Sequence, residues 1–464
     1  MSAMNLNQAH NRAEDLENRY YSNILRLAWP ASLEGALLSI ISSVDTVMVK
    51  AVGENAIASV SLTVQPRMIL LIIAQALCVG TTALIARRKG ENDRESANAV
   101  LSQSMLIISV IGIIITLCGC LLAEPIMILS GANEDTLALS VDYFRIISMG
   151  LIPNCWNLCL CAALRATGNT RITMVTNITA NLVNVFFNYC LISGRLGFRA
   201  MGVKGAAIAT DIGTVIACLI SLVYVLRKGG YLRLSFRKFS FDRRTLSGLL
   251  KVGSSSVAES AFLRIGFFIN TRMIADLGTI PLTTYTIVQQ VTSLSFTVGD
   301  GIATAGATMI GLSLGENRKD KASAYVRTCR VISLFASVLL MAIIFFLRNT
   351  LAGIFSDDSV VIAGASAAFI AAIVGMIPQN ARVVYSGCLR GAGDVKYVAI
   401  CCMISVTLIR PFFTWLCCYP INSAFPDLLF VYTGPWIAFL IDAIVRQILL
   451  FLHIKKGKWL NIAL

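Results

Sequence analysis

Long apolar runs alternate with short polar connections throughout this chain, and the runs are too long and too poor in charge for the core helices of a soluble domain. Twelve stretches can each cross a bilayer as a helix: 24–48, 57–86, 98–122, 137–163, 173–194, 203–226, 247–275, 283–313, 325–347, 359–387, 397–418 and 433–453. The pattern then repeats at an ungapped offset of 225 residues. Glu34, Asp45-Thr46, Met48 and Gly53 face Glu259, Asn270-Thr271, Met273 and Gly278. Gly90-Glu91-Asn92 faces Gly315-Glu316-Asn317, and Gly150-x-Ile152-Pro153 faces Gly375-x-Ile377-Pro378. Leu164-Arg165 and Gly168 face Leu389-Arg390 and Gly393. An apolar chain readily yields chance matches of Leu, Ile and Ala, but not of Pro, Glu, Asn, Arg and Gly at one offset.

The repeat predicts an all-α integral membrane protein: 12 transmembrane helices in two parallel six-helix repeats, an N lobe and a C lobe. Six is even, so both repeats enter the membrane from one side and are related by a pseudo-two-fold axis along the membrane normal. The predicted division is a cytoplasmic tail at 1–20, the N lobe at 21–226, a basic cytoplasmic linker at 227–246 that contains Gly229-Gly230, and the C lobe with its short basic tail at 247–464. The matched Pro153 and Pro378 predict similar kinks in spans four and ten.

Composition agrees: 56% of residues are hydrophobic and only 14% charged. The net charge of +14 is where nucleic-acid binding would first be suspected, but its distribution follows membrane topology. Arg87, Arg88, Lys89, Arg94, Arg165, Arg171, the linker bases from Arg227 to Arg244, Arg318, Lys319, Lys321, Arg390, Lys396, Lys455, Lys456 and Lys458 all fall on the connections of one side. The other side holds Lys50, Arg195, Arg199, Lys204 and Arg348. The positive-inside rule therefore puts both termini in the cytoplasm of a multi-pass protein of the cell membrane, with lipid rather than nucleic acid as partner. Most of the fourteen cysteines lie inside spans, where a free thiol behaves as a small hydrophobe. With two histidines and no spaced Cys/His cluster, no resident metal or organic cofactor is expected. Residues 1–20 lack the apolar core of a signal peptide. No nucleotide loop or catalytic constellation is evident, so an enzyme is not expected.

Ionisable and amide residues inside spans are costly and serve as candidate sites. Asp45 stands out because its repeat partner is Asn270, so the halves differ there by one titratable group. A carboxylate on one side only is suited to bind and release a proton, and it is also the candidate Na+ ligand. Glu34 and Glu259 each lie eleven residues before Asp45 or Asn270, close to three helical turns, so each pair shares a face. Glu259 is a candidate second ion or cation site, or one member of an ion pair, for which Arg264 is a poor mate at five residues. Asn177, Asn181, Asn184 and Asn188 form a stripe along span five, and Thr210-Asp211 in span six are placed to complete oxygen coordination with Asp45. Span eight adds Gln289, Gln290 and Asp300, span ten Gln379, Asn380 and Arg382, and span eleven Arg410-Pro411.

Together these residues resemble the bacterial members of the multidrug and toxic compound extrusion (MATE) family. The likeness rests on Leu27-Ala28-x-Pro30 before Val44-Asp45-Thr46-Val47-Met48-Val49, on Gly80-x-x-Ala83-x-Ile85-Ala86-Arg87 with Gly90, and on Ala163-Leu164-Arg165-x-x-Gly168-Asn169-Thr170. It continues through Gly202-Val203-x-Gly205-Ala206-Ala207-Ile208-Ala209-Thr210, Glu259-x-x-x-x-Arg264-x-Gly266, Gly306-Ala307-Thr308-Met309-Ile310-Gly311-x-x-x-Gly315 and Leu389-Arg390-Gly391-Ala392-Gly393-Asp394. The resemblance implies a secondary active exporter, monomeric, that extrudes drugs and organic cations in antiport with H+ or Na+ by rocker-switch alternating access. Asp45 then matches the N-lobe carboxylate, Asn184 and Thr210 its neighbours, and Glu259 the acidic position of span seven. Many relatives carry a second carboxylate on span five where this chain has Asn188. An amide cannot take up a proton, so that part of the family's scheme does not transfer intact. The alternative from the residues is a flippase of lipid-linked precursors, which calls for cationic contacts to pyrophosphate; the inward carboxylates favour cationic cargo.

Overall fold

The structure, a computed structural model, describes residues 3–50, 54–227, 230–234, 242–355, 358–424 and 430–462. Gly53, Lys228, Gly229, Arg237 and Lys238, all used above, lie outside the described residues. Fourteen helices account for almost all of the described chain. The first half holds α1 (Ala3–Lys50), α2 (Glu54–Gly90), α3 (Arg94–Leu121), the short α4 (Ala123–Leu129), α5 (Glu134–Met149), α6 (Leu151–Ala166), α7 (Thr170–Ser193) and α8 (Gly202–Leu226). The second holds α9 (Arg243–Ala275), α10 (Thr279–Gly315), α11 (Lys319–Phe355), α12 (Ser359–Ala392), α13 (Val395–Ala424) and α14 (Phe430–Lys455). Residues 3–20, expected as a tail, begin α1 without a break.

Among the described residues, eight helices are long and apolar enough to cross a membrane, and nine if the bent pair α5–α6 counts as one span. Three of the twelve expected spans fall in α1, α9 and α10, which are long enough but diluted by Glu34 and Asp45, by Ser254, Ser255, Ser256, Glu259 and Arg264, and by Gln289, Gln290 and Asp300.

The chain packs as two compact units, Leu33–Ser254 and Met1–Ser32 with Ser255–Ala463. In the first, α2, α3 and α6 close around Leu84, Ile85, Leu101, Ile108, Cys155 and Leu160, joined by Leu249 from the start of α9. A second cluster around Met127, Phe144 and Ile147 ties α4 and α5 to Val203 and Ala207 of α8. In the other unit, Tyr325, Val384, Tyr385 and Leu389 gather Ile24, Leu27 and Ala28 of α1. There Asn23 Nδ2 donates to the Tyr325 hydroxyl at 3.0 Å, and Tyr20 meets the Tyr325 ring edge-on at 4.9 Å. The opening turns of each half's first helix thus pack with the other half's helices. All fourteen cysteines are free and most are buried.

The repeat is visible in backbone detail. Asn92 and Asn317 close their turns at φ 58° and 57°, a left-handed conformation that Asn tolerates better than most residues. Gly168 and Gly393 do the same at φ 79° and 86°. The matched prolines sit differently in their helices. In the first half the helix breaks at Gly150 into α5 and α6, bent by 48°. Pro153 follows in the first turn of α6, where a missing N–H costs no intrahelical bond. In the second half Pro378 sits inside the unbroken α12. In α13, Met403–Ile409 and Cys417–Ile421 wind as π-helix near Pro411 and at Pro420, whose rings cannot donate.

Candidate functional site

In the unit Leu33–Ser254 the site forms where α1, α7 and α8 meet. Asp45, half-buried on α1, accepts from Asn188 Nδ2 of α7 at 2.8 Å. One turn earlier on α7 lies Asn184. With its amide turned so that every group is satisfied, Asn184 donates to both Asp45 oxygens at 3.0 and 3.1 Å, and its oxygen accepts from the Thr210 N–H at 3.1 Å and hydroxyl at 3.2 Å. Gly213 allows α8 this close, since a Cβ there would lie 2.7 Å from the Ala180 carbonyl oxygen and 3.2 Å from Asn184 Cβ. The Asp45 carboxylate is therefore held by amide N–H groups from one helix, and that helix is pinned through Asn184 to the next. Asn188 Oδ1 is buried and carries no hydrogen bond.

Asp211 does not join this cluster. Neighbouring residues on a helix point about 100° apart, and with Thr210 turned to Asn184, Asp211 turns to the α5–α6 break. A Cβ at Gly150 would lie 2.0 Å from Asp211 Oδ1, so glycine is required there for the carboxylate to reach the bend.

Glu34 lies elsewhere on α1, buried in a polar chain of its own. Its Oε1 accepts from Asn177 Nδ2 at 2.6 Å and lies 3.9 Å from Arg165 Nη1, while Asn157 Nδ2 donates to Asn177 Oδ1 at 3.2 Å. Asn157 Oδ1 in turn accepts from Ser221 at 3.2 Å. The asparagine stripe of α7 is thus shared: Asn177 serves Glu34, Asn184 and Asn188 serve Asp45, and Asn181 caps back onto the Asn177 carbonyl oxygen at 2.7 Å.

In the other unit Glu259 is buried against α12 and α14. Arg390 grips it as a fork, Nη2 to Oε1 at 2.6 Å and Nε to Oε2 at 3.2 Å, and Arg446 Nη2 stands 3.4 Å from Oε1. Its mates are therefore these two arginines and not Arg264. Sequence reading assigned Arg165 and Arg390 to cytoplasmic turns, yet the repeat carried the signal: Glu34 matches Glu259, Arg165 matches Arg390, and the pairs meet in both halves. Asn270 is a packed amide, accepting from Thr414 at 2.6 Å and donating to the Tyr285 hydroxyl at 3.4 Å. Gln289 and Gln290 are exposed on α10. A second buried pair that sequence reading missed joins Arg410 of α13 to Asp442 of α14.

Among the described residues no group of three or more His, Cys, Asp or Glu is placed to hold a metal ion. The Asn184 and Asn188 amides can offer N–H groups to the Asp45 carboxylate or, turned over, oxygens beside it, so the same side chains suit a proton or a Na+ ion at Asp45.

Comparison with known proteins gives one consistent result. The family model described as MatE matches residues 30–190 and 256–416, one copy in each half. The uncharacterized transporter YisQ of Bacillus subtilis is 26% identical over 445 residues, 95% of each chain. A probable multidrug resistance protein NorM of Thermotoga maritima is 26% identical over 439 residues, 94% of this chain and 92% of that one. Among solved structures, a MOP superfamily transporter from Pyrococcus furiosus superposes with a TM-score of 0.87 at 22% identity, covering 96% of this chain and 97% of that one. An outward-facing multidrug resistance MATE family transporter gives 0.87 at 22% identity, covering 95% and 97%.

Proposed function

Because the chain belongs to the MatE family of membrane transporters, which are not enzymes, we propose that it is a proton-driven exporter of drug-like organic cations, coupled through Asp45. The observation that carries this reading is the Asp45 carboxylate held by the Asn184 and Asn188 amides. A deprotonated Asp45 accepts both amide N–H groups and ties α1 to α7. A proton arriving from outside removes the charge and takes up one oxygen. The charge-assisted bonds weaken, and α1 is released from α7. An ion can drive the cycle only by binding one state better than the other, and this network supplies such a difference. Asn188 cannot take a proton, so one proton per cycle at this site is the expected stoichiometry.

The polar helices α1, α9 and α10 are read as spans too, giving twelve spans in two parallel sets of six. Both termini then lie in the cytoplasm, and organic cations enter from there or from the inner leaflet. Inside a bundle, polar residues find partners or line a water-filled path, so their presence does not stop a helix from spanning. The flippase alternative calls for a groove for a long lipid and accessible cationic contacts to pyrophosphate, whereas Arg390 and Arg410 are engaged by carboxylates and Arg382 and Arg446 are buried.

The deciding experiment places the purified protein in liposomes and follows efflux of a fluorescent organic cation under an imposed pH gradient, with or without a Na+ gradient. Efflux driven by ΔpH alone is expected. Efflux driven only by Na+ overturns the proton assignment, and lipid translocation without cation export overturns the exporter.

A further inference from the structure

The spans of the second half carry an excess of positive charge that no described group balances. Arg382 and Arg390 lie on α12, Arg410 on α13 and Arg446 on α14; the carboxylates packed among them are Glu259 and Asp442. Arg390 and Arg446 share Glu259. Arg410 takes Asp442 Oδ2 through Nε at 3.0 Å and through Nη2. Arg382 spends its Nε on the neutral Gln379 and lies within electrostatic reach of Arg410, Arg446 and Asp442. Asp300 of α10 is a third carboxylate within electrostatic reach, acting on both Arg390 and Arg382. Four guanidinium groups, those of Arg382, Arg390, Arg410 and Arg446, therefore face three carboxylates, those of Glu259, Asp442 and Asp300, an excess of one positive charge.

The excess has an address. Arg446 is 1% exposed, and its Nε and Nη1 are buried with no hydrogen-bond partner. Two orphaned donors on a buried cation are a costly arrangement unless something occupies the space they face. Asp442 Oδ1 is also unpartnered and lies one turn before Arg446 on the same face of α14. A water joining Asp442 to Arg446 would satisfy one donor and leave the charge uncompensated.

We propose that this cluster is an anion site: a small monovalent anion, bound by Arg446 Nε and Nη1 with Arg382 as the second cation, completes the interior of the second half. The chemistry fits a halide or a single carboxylate group. A halide would be a resident structural ion. A carboxylate would belong to a transported compound, which would then be zwitterionic or anionic. The site lies wholly within one unit and its occupancy is read by binding, so it stands or falls separately from proton-driven export.

The test uses the full-length protein in detergent, exchanged into gluconate at constant ionic strength and titrated with chloride, bromide or formate. A saturable rise in Tm with a small anion is expected. Response to the halides identifies a resident inorganic ion, and response to formate alone identifies a carboxylate subsite. Arg446→Gln removes both the donors and the excess charge, so its Tm should no longer depend on the anion and should not fall below the wild-type value in gluconate. If Arg446→Gln does not fold, Arg382→Gln makes the same change in charge and should lose the same dependence. A wild-type Tm that follows ionic strength alone, or variants that respond as the wild type does, overturns the proposal.

Discussion

The two halves share a repeat and use it differently. Each has a buried glutamate at the same place on its first helix, and each pairs it with the arginine matched 225 residues apart: Glu34 with Arg165 at 3.9 Å, Glu259 with Arg390 at 2.6 Å. Two copies of one ion pair point to a scaffold, since coupling needs only one site. The halves part company eleven residues further along. Asp45 meets donors from a stripe of asparagines, while Asn270 meets a threonine and a tyrosine. At the same offset, Asn177, Asn181, Asn184 and Asn188 are replaced by Cys402, Val406, Ile409 and Phe413. The first half keeps a titratable group within reach of two amides, and the second carries apolar residues at the matching positions of its fifth span and an amide in place of the carboxylate. The proposed coupling role therefore falls at the position where the repeat fails.

The sharpest way to break this contrast is to exchange the two residues. Asp45→Asn keeps size and shape but removes the only group at that cluster that can gain a proton. Efflux under a pH gradient should fall to the rate of protein-free liposomes, with the variant still folded. Asn270→Asp should create no second coupling site, because a carboxylate there must accept from Thr414 and Tyr285 in a fully buried place. Retained ΔpH-driven efflux in Asp45→Asn sinks the assignment.

The glutamates give the next effect, this time on stability. Glu259→Gln leaves the forked Arg390 and the buried Arg446 facing a neutral amide, and loss of one partner from a buried pair costs about 3–5 kcal/mol. Glu34→Gln should cost less, because Arg165 is partly exposed and stands farther off. Thermal unfolding in detergent orders the two; equal losses would mean that the shorter contact carries no extra weight.

Much of this was legible in the sequence. Apolar length and the offset of 225 residues announce a two-part helical membrane protein, and the mismatch of Asp45 with Asn270 picks out the carboxylate proposed for coupling. What was hidden depends on direction around a helix and on partners distant in sequence. Thr210 and Asp211 are neighbours, yet one reaches Asn184 and the other the bend at Gly150. Arg390 reads as an interfacial base until α12 is seen to carry it to Glu259. Matched prolines suggested matched kinks, but the break in the first half goes with Gly150 and the Asp211 carboxylate lodged against it, while α12 runs through Pro378 unbroken.

That difference can be sharpened by substitution. Gly150→Ala puts a carbon 2.0 Å from Asp211 Oδ1, and forcing the two apart should cost about 1–3 kcal/mol. Adding Asp211→Ala removes the obstruction and should recover most of the loss, a coupling that a double-mutant cycle measures directly. Additive losses would show that Asp211 and Gly150 do not contend for one space.

The smallest effect lies in the matched turns outside the membrane. After the left-handed Asn92, Asp93 caps α3 and accepts from the Ser96 N–H at 2.9 Å; after the left-handed Asn317 the corresponding residue is Arg318, which has no such role. Asp93→Ala should therefore cost about 1 kcal/mol, and Arg318→Ala less than about 0.5 kcal/mol. The hydrogen bonds from Ser96 hold the Asp93 carboxyl below its usual value of 3.8, so its contribution is present above that value and lost as pH falls through the lowered one. The Tm difference between wild type and Asp93→Ala should accordingly stay constant from about pH 5 to 8 and close only below about pH 4. A difference that stays open as the carboxyl is protonated in acid would show that the Asp93 charge does not carry the effect and remove the cap as the distinction between the two turns.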